Sequence, residues 1–296
     1  MFSNLFRCGL VVSGLFCGSA SADIIYVANQ GNSSVVGFDS AGNQIALITT
    51  GVNGPHGLAV DLVGNLFVGN GNDNTITKIT PQGVASVFAT TLSEPLGLTF
   101  DASGNLYAAN SFNNTILKLT PTGTSSIFAS TGLSTPVGLA FDRNGNLYAA
   151  NAGNSTIVRF NQSGTPTVFA STGLFHPRGL AFDGDGNLYA ANGDNTIERF
   201  DPAGTPSLFA STDLHAPVGL VFDSQGNLYA ANDDNNTIVK FDPSGSSSIF
   251  ASSGLNFPYL MAITSVPEPS SSALLAIGVA MTTATIRFWI RRSAKA

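Results

Sequence analysis

Short runs in which apolar and polar residues alternate cover most of this chain, and clusters of Gly, Pro, Asn and Asp separate them. Alternation with a period of two reads as half-buried β-strand, and the punctuation reads as tight turns. The stretch PVGLAFDRNGNLYAANAGNSTIVRFNQSGTPTVFASTGL, residues 136–174, shows the unit. It predicts four strands, at Gly138–Asp142, Leu147–Asn151, Thr156–Asn161 and Pro166–Thr172. The first turn, Asp142-Arg143-Asn144-Gly145-Asn146, has an Asp to bond its own backbone and a Gly where φ must be positive. The third turn reads Asp201-Pro202-Ala203-Gly204 or Asp242-Pro243-Ser244-Gly245 in other copies, with Pro presetting φ and Gly closing the turn.

The unit returns at a fixed spacing. GNLYAAN stands at 104–110, 145–151, 186–192 and 226–232, with GNLFVGN at 64–70. The closing Asn therefore recurs at Asn70, Asn110, Asn151, Asn192 and Asn232, at intervals of 40, 41, 41 and 40. Four antiparallel strands in a repeat of this length make a β-propeller blade. Each strand type has six copies: first strands begin at Gly57, Gly97, Gly138, Gly179 and Gly219, with a degenerate sixth over Tyr259–Thr264, and the second strands add one ending at Asn29. The repeat starts on a second strand and stops on a first strand, so the last strand can complete the blade begun at the N-terminus. The expected fold is all-β, a six-bladed β-propeller of four-stranded antiparallel blades over residues 23–265, closed by one C-terminal plus three N-terminal strands. Closure removes the exposed sheet edges that an open ring would carry. The inner runs are rich in Gly and Ala, as a tapering ring needs, and Phe88, Phe128, Phe169, Phe209 and Phe250 read as packing elements of the outer strands.

Runs such as PRGLAFDGDGNLYAANGDNTIERFDPAGT (177–205) resemble NHL-repeat propellers and the related virginiamycin B lyase-like family. The resemblance implies the propeller fold. It implies less about activity, because this fold hosts lyases, lactone hydrolases and binding modules. NHL repeats often carry Asp where this chain has the second-strand Asn, which weakens any inference of a ligand at that ring.

Charge narrows the partners. Between Asp23 and Ser265 seven Lys and Arg face seventeen Asp and Glu. Nucleic acid needs clustered basic residues to displace counterions, so it is excluded as a partner. Both cysteines, Cys8 and Cys17, fall in the first seventeen residues, leaving none for chemistry in the repeats. Residues 1–22 place Arg7 before an apolar run and end on Ala20-Ser21-Ala22, the shape of a secretory signal peptide cleaved after Ala22. A membrane anchor and a lipoprotein at Cys17 are the alternatives; the run is short for a span, and Phe16 is a poor fit before a lipidated Cys.

After the repeats, residues 266–296 run Val266-Pro267-Glu268-Pro269, then a serine cluster, then an apolar segment at 273–290 and the basic Arg291, Arg292 and Lys295. A short transmembrane helix over 273–290 is expected, its basic flank cytoplasmic. The order Pro-Glu-Pro, helix, basic cluster resembles a PEP-CTERM sorting signal. That resemblance implies an exosortase-type processing enzyme as partner, recognition through Pro267, Glu268, Pro269, Arg291 and Arg292, and cleavage near Pro267–Pro269. The implied location is an inner-membrane-tethered intermediate, then the cell surface or extracellular matrix of a Gram-negative bacterium.

Candidate chemistry sits where single residues escape the repeat. The residue after the Pro that enters each first strand is His56, Leu96, Val137, Arg178, Val218 and Tyr259 around the ring, and Glu94, His176 and His215 precede it nearby. These loops and the second-strand ends share the face around the channel mouth. His56, Glu94, His176, Arg178, His215 and Tyr259 are therefore the expected ligand-binding residues. Pro55-His56-Gly57 matches the Pro-His-Gly of virginiamycin B lyase-like propellers, which implies His56 as a general base, with Glu94 and with Arg178 to hold an anionic group. Against catalysis, Glu198 is the one other Glu of the repeats and falls on an outer strand. The Asp-x-Asp-Gly-Asn of 183–187 has the look of a calcium loop but repeats as a hairpin turn, and no zinc spacing occurs, so no metal or cofactor is expected. The second-strand Asn residues read as turn caps. The leading expectation is a non-enzymatic, exported protein- or polysaccharide-binding module; the alternatives are a propeller lyase or lactone hydrolase acting at the mouth, and a spacer without a ligand.

Overall fold

The structure, a computed structural model, describes residues 23–265. The expected signal peptide and the expected sorting tail with its helix lie outside the described residues.

Six four-stranded antiparallel sheets form the blades. Blade 1 joins Pro258–Ser265 to Asp23–Asn29, Ser34–Phe38 and Gln44–Ile48, so one C-terminal strand and three N-terminal strands close the ring as the repeat offset required. The seam pairs Ile25 with Ile263 and Val27 with Met261. Asp23 adds a tie to blade 6, its carboxylate accepting from the Ser224 backbone N–H at 3.2 Å and hydroxyl at 3.1 Å. Blades 2 to 6 begin with Pro55–Val60, Pro95–Phe100, Pro136–Phe141, Leu180–Phe182 and Pro217–Phe222. These inner strands pack on one another in cyclic order around the axis.

Four of the five inner strands of blades 2 to 6 begin two residues earlier than the repeat suggested, and the fifth one residue later. In blade 4, Pro136 pairs with Asn151 before the register shifts ahead of Leu139. The bulge absorbs Val137 and Gly138, the positions taken as the strand start. Gly138 is required there, because a β-carbon would lie 2.2 Å from the Arg178 carbonyl oxygen of the next blade. The outer strands stop about two residues short of the expected ends, at Ala89, Ala129, Ala170, Ala210 and Ala251.

The core is a series of layers between blades. Between blades 3 and 4, Tyr107, Ala109, Ile116, Leu147, Val158 and Phe160 pack together with Phe128 and Phe141. Tyr107 stands edge-on to Phe128 and to Phe141, both at 5.0 Å between centroids. Tyr148 and Tyr189 repeat the arrangement, so the outer-strand Phe ladder is packing, as expected. Such pairs add about 0.5–1.5 kcal/mol each beyond area burial.

Polar side chains fix the loops. Asp142 Oδ1 accepts from the backbone N–H of Asn144 at 2.9 Å and of Asn146 at 2.8 Å, and its Oδ2 accepts from the Asn146 amide at 2.8 Å. The second-strand Asn residues are buried caps: Asn151 Oδ1 accepts from Ser134 N–H, and its amide donates to the Gly132 carbonyl and Thr156 Oγ1. A further latch joins neighbouring blades, with Asn114 Oδ1 accepting from the Thr135 N–H at 2.6 Å. The residue before each entering Pro donates the N–H of this latch from left-handed backbone, φ 53 at Glu94 and 46 at His176, a cost the latch and the ring offset.

Candidate functional site

On the mouth face the chain presents two rings of six positions. The first is the residue after each entering Pro; the second is the residue after each second-strand Asn, namely Gln30, Gly71, Ser111, Ala152, Gly193 and Asp233. A bulge in the inner strand sets the first ring in five blades, Arg178 of blade 5 standing just before its strand, and the end of strand pairing sets the second. The polar members are Arg178 on blade 5, Asp233 on blade 6, Tyr259 and Gln30 on blade 1, His56 on blade 2 and Ser111 on blade 3. Leu96, Val137, Ala152 and Val218 are apolar. Below the mouth, Leu58, Leu98, Leu139, Leu180, Leu220 and Met261 ring the axis around a cavity of about 40 Å³, the floor of a cup.

His56 is 7% exposed and held at three points. Its Nε2 lies 2.8 Å from the Gln30 amide nitrogen, and its ring stands edge-on to Tyr259 at 4.9 Å. Its Nδ1 lies 2.4 Å from where a β-carbon on Gly71 would be, so the ring occupies space that only Gly leaves open. Burial holds the imidazole below the ordinary histidine range, with the Gly54 carbonyl opposing this. With the Gln30 amide nitrogen as donor, Nε2 accepts and the ring proton is on Nδ1. Nδ1 reaches no partner at hydrogen-bond geometry.

Tyr259 lies within electrostatic reach of Arg178, Asp233 and Glu94, which come from blades 5, 6 and 3. Burial pushes its phenol up to about 12, Arg178 opposing and the two carboxylates adding. Asp233 is also raised, chiefly by burial, with Arg178 lowering it and Asp234 raising it. One Asp233 oxygen is buried with no partner. Among the described residues the side chains of Arg178, Asp233, Glu94 and Tyr259 make no hydrogen bond, and the one ion pair is Lys118 with Asp101 at 3.6 Å, away from the mouth. These four side chains keep their bonding capacity open.

The structure thus brings His56, Arg178, Tyr259 and Glu94 to the mouth. His176 and His215 lie on the same face, in the loops that lead into blades 5 and 6. His176 is exposed, its Nδ1 at 2.8 Å from the Ala152 carbonyl and its ring against Phe175 at 4.7 Å. His215 is exposed too, and its backbone N–H caps Asn232 Oδ1. Gln30, Gly71 and Asp233 are site residues that the sequence reasoning missed. Their signal was present: they are departures from the repeat directly after the Asn of GNLYAAN, a position taken only as a strand end.

Among the described residues no group of three His, Cys, Asp or Glu side chains could hold a metal ion. Asp183 resolves as turn chemistry, with Oδ1 accepting from Asp185 and Asn187 N–H and Oδ2 from the Asn187 amide. Two clefts of about 580 and 560 Å³ lie on the opposite face, between blades 5 and 6 and between blades 4 and 5.

Solved structures with the same fold include a chain of the nidogen/laminin complex, at 19% identity and TM-score 0.73, covering 81% of this chain and 98% of that one. Virginiamycin B lyase from Staphylococcus aureus matches at 20% identity and TM-score 0.59, covering 70% of this chain and 73% of that one. A gluconolactonase from Xanthomonas campestris matches at 20% identity and TM-score 0.60, covering 69% of this chain and 76% of that one. Among curated proteins no sequence matches. The virginiamycin B lyase family matches residues 43–263, from the first outer strand to the closing inner strand, and the chain belongs to that family.

Proposed function

We propose that this chain is an exported, non-enzymatic member of its family that binds a polysaccharide or protein at the channel mouth. The observation that carries this is the contrast within the cup. His56, the one histidine there, is committed: neutral, bonded to Gln30, packed on Tyr259 and Gly71, and without a carboxylate in contact. Arg178, Asp233, Glu94 and Tyr259 are open. A general base needs a free lone pair within reach of a substrate proton, whereas a binding site needs unpartnered donors and acceptors over an apolar floor. The export leader at 1–22 and the tail at 266–296, with its Pro267-Glu268-Pro269 and Arg291-Arg292, support delivery to a cell surface or matrix through an exosortase-type enzyme.

The test is retention of the full chain on isolated exopolysaccharide. Arg178→Ala combined with Tyr259→Phe weakens retention; unchanged retention removes the mouth as the binding site. Processing is tested on the cell-associated protein, which should lose mass from its C-terminal end only where the sorting enzyme is present.

Family membership favours one other reading, a lyase or lactone hydrolase in which His56 Nε2 is released from Gln30 to act as base. Turnover of a lactone or a streptogramin by the full chain, lost in His56→Ala, would establish it.

A further inference from the structure

We propose that the cleft between blades 5 and 6, on the face opposite the mouth, is a second ligand site and takes a neutral hexose oligosaccharide. The cleft exists because one turn stands off. In four junctions the Gly of the third turn packs on the outer-strand Phe carbonyl of the preceding blade. A β-carbon on Gly42, Gly123, Gly164 or Gly204 would lie 2.2–2.7 Å from the carbonyl oxygen of Phe250, Phe88, Phe128 or Phe169. At Gly245 that contact is missing, and the first atom met is on the Phe209 ring, 4.0 Å away. The junction left open holds about 580 Å³, within the ordinary range of small-molecule sites. The neighbouring cleft between blades 4 and 5 differs: its turn is seated at Gly204, and Arg143 reaches across it to donate to the Gly184 carbonyl.

Three features of the open cleft set its chemistry. Arg199 lines it from the third strand of blade 5, in register with Tyr189. Lys78, Lys118 and Lys240 hold the same position in blades 2, 3 and 6, and each lies over the ring it pairs with, at 5.4–5.5 Å. Among the described residues Arg199 is in no such stack and in no ion pair. On the rim, Asp183 is spent on its own turn, whereas Asp185 gives that turn only its backbone N–H and is exposed. The apolar walls are Phe209 and Phe222, each edge-on to Tyr189 at 5.0 Å. Arg199 offers only donors and Asp185 only acceptors, so the ligand must bring both kinds of group within one short unit. Two carboxylates against one guanidinium disfavour an anion. A neutral sugar ring meets all of this: neighbouring hydroxyls accept from Arg199 and donate to Asp185, and its C–H face packs on the phenylalanines. An extended peptide would instead pair with the outer strand Pro206–Ala210. That strand begins on a residue without an N–H, and its Ser207 hydroxyl folds back on the Arg199 carbonyl at 3.2 Å.

Calorimetry of the full chain tests this, with maltohexaose, cellohexaose and mannohexaose as neutral probes, hexagalacturonate as the acidic one, and an uncharged hexapeptide. At least one neutral hexaose should bind, and hexagalacturonate and the peptide should bind at least about tenfold more weakly, the scale of one hydrogen bond to a charged group. Arg199→Ala and Asp185→Ala should each cost the neutral sugar at least about tenfold with unchanged melting. Arg199→Lys should not restore it, because an ammonium lacks the planar fork. Lys78→Ala, at the same position of blade 2, should leave binding as it is. No binding of any neutral hexaose overturns the proposal, as does equal or tighter binding of hexagalacturonate or the peptide. Hexaose binding that survives Arg199→Ala and Asp185→Ala but is lost in Arg178→Ala belongs to the mouth, and overturns this site while sparing the binding reading above.

Discussion

The His56 imidazole stands edge-on to the Tyr259 phenol, 4.9 Å between centroids and 84° between planes. Tyr259 lies on the C-terminal strand of blade 1, and the Gln30 that bonds His56 follows its N-terminal strand. One side chain of blade 2 therefore grips both chain segments whose pairing closes the ring. This histidine is buried and neutral, so its protonation works against closure.

Stability should depend on pH through this group. The folded pKa lies below the ordinary value of 6.5, so the unfolded chain binds more protons in the interval between the two. The contribution is complete above about pH 6.5 and is lost as pH falls towards the folded value. Thermal midpoints measured from pH 8 down to pH 5 should fall in that window for the native chain. His56→Gln should flatten this part of the profile; an unchanged slope would assign it elsewhere.

Gly71 should not tolerate a side chain. Its β-carbon would meet His56 Nδ1 at 2.4 Å and Cε1 at 2.5 Å. Gly71→Ala should destabilise by about 1–3 kcal/mol, the usual cost of overpacking. Gly184, with nothing within 4 Å of its β-carbon position, is the control, and Gly184→Ala should be neutral or slightly stabilising in denaturant titration.

The second-strand Asn residues should matter for stability rather than binding. Asn151→Ala leaves the Ser134 N–H and the Gly132 carbonyl without their partner. A loss of about 2–4 kcal/mol is expected from two orphaned groups. Asn144, whose side chain is exposed and makes no hydrogen bond, should lose less than about 0.5 kcal/mol as Asn144→Ala. Equal effects at the two sites would contradict the capping role.

Removing the closing strand should open the ring. A chain ending at Phe257 exposes the edge of Asp23–Asn29 and the apolar faces of Ile25 and Val27, which are at most 1% exposed in the closed ring. It should aggregate or lose cooperative melting, visible by light scattering and calorimetry. A soluble, cooperatively folded truncation would refute closure as the source of stability.

The turns and the blade count were legible because they depend on neighbours in sequence. Asp142 bonds residues two and four positions on, so the Asp-x-Asn-Gly-Asn spelling carries its own geometry. The strand starts were less legible. The bulge at Val137 and Gly138 answers to the Arg178 carbonyl of the next blade, which no local pattern announces. His176 and His215 are the right residue type in the right loop, and both side chains are exposed there. Their loops serve as blade connections, whose backbone is fixed by Ser155 and Asn232.

By itself the sequence determined the repeat, the six blades, the closing offset and the face on which departures from the repeat collect, because each follows from local hydrogen bonding and a period of about forty residues. Only the tertiary structure decided which departures meet. Gln30 bonds a histidine 26 positions away, and that histidine packs edge-on against Tyr259 from the other end of the chain, within electrostatic reach of Arg178, Asp233 and Glu94. The physical reason is ring closure: it places side chains distant in sequence within electrostatic reach, and burial there leaves some of them with bonds still to make.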